Sequence, residues 1–129
     1  MTSVVSLVLD SEGLSAWIDE HRGVGAIIDS AQRDHTDLVV CAHTIIEVPH
    51  GRTPMPRLLS RVKVEPVTER TAEAAALLLE DTGLHGHEYA IDATVAVTAL
   101  AQPGPVAILT SDADDIGKLC GPRVRVIPL

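Results

Sequence analysis

The chain has 129 residues, 46% of them hydrophobic, which is enough for one domain with a core and too short for two ordinary ones. A net charge of −8 excludes a protein that coats nucleic acid or anionic membrane by charge alone, and Trp17 and Tyr89, its only large aromatic rings, exclude the row of stacking platforms of a dedicated single-strand binder. Cys41 and Cys120 fit neither a metal spacing nor a disulfide framework, and the apolar run from Val4 to Leu9 is too short for a signal peptide core or a membrane span, so the expected setting is the cytoplasm, without membrane contact.

Val4 to Leu9 reads as a buried strand ending in Asp10, followed by a helical pattern with Leu14, Trp17 and Ile18. Gly23 and Gly25 are expected to break the pattern before a short helix from Ala26 to Ala31. Asp37 to Cys41 is a second strand, leading into a helix capped near His43 or Thr44, with Glu47 at capping-box spacing from Thr44. Pro49, Pro54 and Pro56 make a regular helix after Glu47 unlikely on steric grounds. The stretch from Val48 to Val64 holds Arg52, Arg57, Arg61 and Lys63 with no acid, and reads either as a solvated face or as a surface for phosphates.

Val62 to Val67 is a short strand, edge-like because of Pro66. Thr68 opens a helix with Ala72, Ala75, Ala76 and Leu79 on its inner face and Gly83 as its stop. His85 and His87 read as loop residues, not ligands. Tyr89 to Ala101 is an apolar helix carrying one ionisable side chain in its body, Asp92. Pro103 to Pro105 precedes the fourth strand at Val106, which ends in Thr110, Ser111 and the acids Asp112, Asp114 and Asp115. A short helix to Cys120 and a last strand from Val124 to Ile127 close the chain. Alternating strands and helices predict an α/β fold: a five-stranded parallel sheet with helices on both faces, in one domain over residues 1–129.

If the first strand lies beside the one at Val106, their carboxyl ends bring Asp10 and Asp112 together where strand order reverses, the usual ligand position in such sheets. Asp92 is the most telling acid, because a carboxylate inside an apolar helix is costly unless a cation or donors compensate it. Helix capping is the competing role for Asp112 and for Glu47. Asp10, Glu47, Asp92 and Asp112 converging on one cleft would repel one another, and oxygen ligands alone select Mg²⁺ or Mn²⁺ over zinc.

Leu9-Asp10-Ser11, Thr44 with Glu47, Ile91-Asp92-Ala93-Thr94 and Leu109 to Asp115 together resemble the acidic motifs of PIN domains, and among these the VapC toxins of bacterial toxin–antitoxin pairs. The resemblance runs over essentially the whole chain and is specific as a set. It implies a metal-dependent endoribonuclease, usually dimeric, held inactive by a cognate antitoxin. Carried over, Asp10, Glu47, Asp92 and Asp112 are the catalytic and metal-holding acids, with Asp115 an accessory ligand and Thr110 a support for Asp10 or its loop. Arg52, Arg57 and Arg61 become candidate contacts to RNA or antitoxin. Glu12 and the three prolines after Glu47 depart from the pattern. A phospho-acceptor domain of the receiver type lacks its acceptor aspartate and lysine here. An inactive PIN-like binding module is the second reading.

Overall fold

The computed structural model describes residues 4–48 and 55–129. The apolar runs without helical period become strands β1 (Ser6–Leu9), β2 (Asp37–Cys41), β3 (Lys63–Glu65), β4 (Val106–Thr110) and β5 (Val124–Pro128). They form one parallel sheet in the order β3-β2-β1-β4-β5. Leu9 pairs with Val40 on one side and Leu109 on the other, so the order reverses at β1 and β4. Every residue of β1 and β4 is buried, as strands covered on both faces should be, whereas β3 is a partly exposed edge.

Seven α-helices connect the described strands: α1 (Ser11–Ile18), α2 (Arg22–Arg33), α3 (Ala42–Glu47), α4 (Met55–Leu59), α5 (Glu69–Thr82), α6 (Gly86–Leu100) and α7 (Ala113–Cys120). Alternation along each strand divides the core. Val8, Val39, Val106 and Ile108 face α5, α6 and α7 through Ala75, Ala93, Ala96, Ile116 and Leu119. Leu7, Leu9, Val40, Ala107 and Leu109 face the other layer through Leu14, Val24, Ile28 and Leu58. No helix among the described residues is long and apolar enough to cross a membrane.

Local chemistry explains several elements, and tertiary packing overrides it in others. Helix α5 begins where Thr68 Oγ1 accepts from the Thr71 N–H (3.1 Å) and ends where Gly83 adopts φ 70°, the left-handed cap that glycine enters without strain. Its inner face differs from the expected one: Ala75 is buried and Leu78 and Leu79 pack on the core, but Ala72 and Ala76 are exposed. Gly23 and Gly25 do not break a helix. They lie in the first turn of α2, because His21 caps it and Val24 and Ile28 anchor it on the sheet. The capping box at Thr44 and Glu47 does not form either; α3 starts directly after Cys41, which places Thr44 in its interior, fully buried. Helix α6 starts earlier than expected, with His85 as its cap and His87 in its first turn. Of the proline-interrupted segment, residues 49–54 lie outside the described residues, and Pro56 is accommodated in the first turn of the five-residue α4.

Candidate active site

The site is built on the join between β1 and β4. Asp10 follows β1 and caps α1, its Oδ1 accepting from the Gly13 N–H at 2.8 Å. Gly13 is needed for that approach, since a Cβ there would stand 2.9 Å from the Leu109 carbonyl oxygen. Asp10 is thereby only 6% exposed. Across the join, the Thr110 hydroxyl accepts from the Asp112 N–H at 2.9 Å, and Thr110 and the Ser111 backbone also hydrogen-bond the Asp10 carboxylate. Asp112 occupies the cap position of α7 without a side-chain capping bond, which leaves its carboxylate free of the structural role that competed for it. Asp92 lies on the second turn of α6, half-buried, and Glu47 ends α3 at the exposed rim.

These side chains lie near enough to act on one another's ionisation. Burial pushes Asp92 up to about 6, and Asp112, Asp115, Asp10 and Glu47 add to the shift. Asp10 is raised by burial against the opposing hydrogen bonds of Thr110, Gly13 and Ser111, with Asp112 adding to the rise. Glu47 is also raised, first by loss of water on its packed side and then by Asp10, while His43 opposes. Glu12 acts on Glu47 more weakly. Among the described residues the one ion pair is Lys63–Glu65 on β3, so no described Lys or Arg neutralises the cluster.

A donor set made of carboxylate oxygens alone suits a hard divalent cation by its chemistry. Among the described residues no three acidic, histidine or cysteine side chains stand close enough together to hold a metal ion, so the acids gather at one end of the sheet without forming a preassembled cation site. Two buried polar atoms on α3, Thr44 Oγ1 and His43 Nδ1, lack a described partner, and both residues lie within one turn of Glu47. Unpaired buried groups of this kind are served by ordered water.

The basic residues are placed differently from the acids. Arg61 precedes β3, at the amino end of the sheet, where its guanidinium lies 4.9 Å from the centre of the Trp17 ring and Nη2 donates to Gln32 Oε1 at 3.1 Å. It therefore braces α1 and α2 and does not face the acid cluster. Lys63 is held by Glu65 and Gln102. Arg57 is exposed on α4, and Arg52 lies outside the described residues. Neither of the two surface clefts found among the described residues, one lined by Leu7, Ile27 and Arg125 and the other by Trp17, His21 and Arg61, includes an acid of the cluster. One residue that the motif pattern passes over stands at the rim: Tyr89, three positions before Asp92 on the same face of α6. That spacing is its signal in the sequence.

No protein-family model matches the chain, and no curated protein matches it in sequence. Solved structures do match in fold. VapBC2 from Rickettsia felis, bound to a DNA fragment from its promoter, superposes with TM-score 0.70 at 14% identity over 96% of this chain and 98% of that one. FitAB bound to an IR36 DNA fragment superposes with TM-score 0.67 at 19% identity over 95% and 94%. At these identities the likeness shows a shared fold: a five-stranded parallel α/β sheet covered on both faces, over nearly the full length of each chain.

Proposed function

We propose that this chain is a PIN-like, Mg²⁺-dependent endoribonuclease, with Mn²⁺ able to substitute, acting as the toxin of a toxin–antitoxin pair. The observation that carries the reading is the set of carboxylates at the β1–β4 reversal, each of Asp10, Glu47 and Asp92 raised first by burial and further by acidic neighbours, with no described Lys or Arg to compensate. The motif resemblance and the fold shared with VapBC2 and FitAB support the toxin assignment.

In this reading Asp10, Glu47, Asp92 and Asp112 hold the cation, with Asp115 accessory, and Thr110 and Gly13 fix Asp10 in place. The bound ion would neutralise phosphate oxygens and make water acidic enough to attack at neutral pH. Carboxylates of the cluster not engaged by the ion would orient that water and receive its proton. Arg57, exposed and clear of the acids, is the described candidate for contact with RNA phosphate or an acidic partner segment. The protein partners are a cognate antitoxin and a second copy of the chain.

Purified protein should cleave RNA with Mg²⁺ or Mn²⁺ and stop when EDTA is added. Undiminished cleavage in EDTA would refute the metal site. RNA and partner binding with no cleavage under any divalent ion would instead support an inactive binding module.

A further inference from the structure

The chain has two large aromatic rings, Trp17 and Tyr89, and they are in different situations. Trp17 is half-buried, covered by the Arg61 guanidinium, and remote from the acids. Tyr89 is half-exposed on the first turn of α6, one turn above Asp92, and no other aromatic ring among the described residues packs on it. The helix that carries it, α6, packs against α7. The ionisation of its phenol is opposed first by Asp115, then by the neighbouring Glu88, by charge and by hydrogen bond, and more weakly by Asp92.

We propose that Tyr89 is the stacking platform for a single nucleobase adjoining the scissile phosphate. The inference rests on the nuclease reading above. A strand whose phosphate is centred on Asp92 and Asp112 brings a neighbouring base to the first turn of α6, and there it meets the large aromatic ring of the chain that no guanidinium covers. Stacking on a ring tolerates any base, so Tyr89 supplies affinity and register and little sequence choice. A charge of −8 makes such a contact useful, because the molecule attracts no phosphate backbone at long range. One ring accommodates one base, and the ring's place on α6, beside Asp92, fixes which nucleotide that is. Tyr89 is thus a substrate-positioning residue and takes no part in proton transfer.

The test pairs protein variants with a scan of abasic positions along one short fluorescent single-stranded RNA, measuring binding by anisotropy on an Asp112→Asn background with Mg²⁺, and KM and kcat on the active protein. Tyr89→Ala should weaken binding about tenfold, raise KM and leave kcat nearly unchanged, while Tyr89→Phe stays close to the parent. An abasic site at one position should cost the parent about the same tenfold and cost Tyr89→Ala nothing further. The stacking proposal is overturned if the parent cleaves RNA while Tyr89→Ala binds and cleaves as it does, or if the two losses simply add at every position. It is also overturned if Tyr89→Phe is as defective as Tyr89→Ala, which would assign the effect to the hydroxyl. A parent protein that neither binds nor cleaves RNA overturns the nuclease reading itself.

Discussion

Asp92 is where the chemistry of the site and the stability of the fold conflict. In the unfolded chain its carboxyl titrates near 3.8, and in the fold near 6, so between these values the folded state keeps a proton that the unfolded state has lost. Stability from this group is therefore complete below about pH 4 and is lost as pH rises through 6. Asp92→Asn removes the penalty along with the function. In EDTA the variant should melt about 5 °C above the parent at pH 7.5, the gain shrinking toward pH 4, while RNA cleavage disappears. Thermal melts by circular dichroism decide it: an equal gain at both pH values would place the effect outside this ionisation. The same residue should make the cation visible without any substrate. Mg²⁺ should raise the parent's melting temperature with the logarithm of its concentration above Kd, by an amount worth about 2.7 kcal/mol at a hundredfold excess, and should raise it less in Asp92→Asn.

At the scale of elements, the placement of α1 against β4 is the contact on which Asp10 depends. Because the obstacle to a Cβ at Gly13 is the backbone oxygen of Leu109, at 2.9 Å, no side-chain rotation can relieve it. Gly13→Ala should cost about 2 kcal/mol in urea denaturation and lower cleavage as well, since α1 must shift and carry Asp10 with it. An unaltered urea midpoint would show that helix and strand yield without cost. The pairing of Arg61 with Trp17 predicts the opposite combination. Arg61→Ala should lose less than about 1 kcal/mol of stability and leave RNA binding intact, because the guanidinium braces α1 and α2 at the amino end of the sheet. Salt-dependent loss of RNA affinity in that variant would return Arg61 to the substrate surface.

On the scale of the molecule, the consecutive leucines of α5 cannot all face one sheet, and the fold resolves the conflict by leaving Leu77 61% exposed while Leu78 and Leu79 pack on the core. Ile46, beside Glu47, is 82% exposed, so apolar surface stands open both on α5 and at the site. Such surface suits the proposed second copy or antitoxin. Light scattering at tens of micromolar should show a dimer, and Leu77→Glu should reduce the mass toward the monomer with little change in melting temperature. A monomeric parent would remove the homodimer from the proposal without touching the site.

The sequence by itself determined the elements whose causes are local. Runs buried on both faces are apolar residue after residue, so β1, β2 and β4 are visible without a partner, and Thr68 and Gly83 mark α5 because caps act within one turn. The alternation of strands and helices then restricts the sheet to a parallel one, and acids at strand ends identify Asp10 and Asp112 as the pair to watch. Tertiary structure decided what depends on distance across the fold. The spacing of Thr44 and Glu47 is the same in a capping box and in a helix interior, and the point where β2 ends chooses between them. Glycines 23 and 25 weaken a helix locally, yet Val24 and Ile28 gain enough by burial on the sheet to hold it. Arg61 in an acid-free stretch looks like a phosphate contact until the fold brings Trp17 and Gln32 to it. The same holds for Tyr89 and for the burial and neighbouring acids that raise Asp92: both require strand order to place α6 and α7 side by side. A chain encodes burial residue by residue, but charges and rings separated along it interact only after the sheet has closed the distance between them.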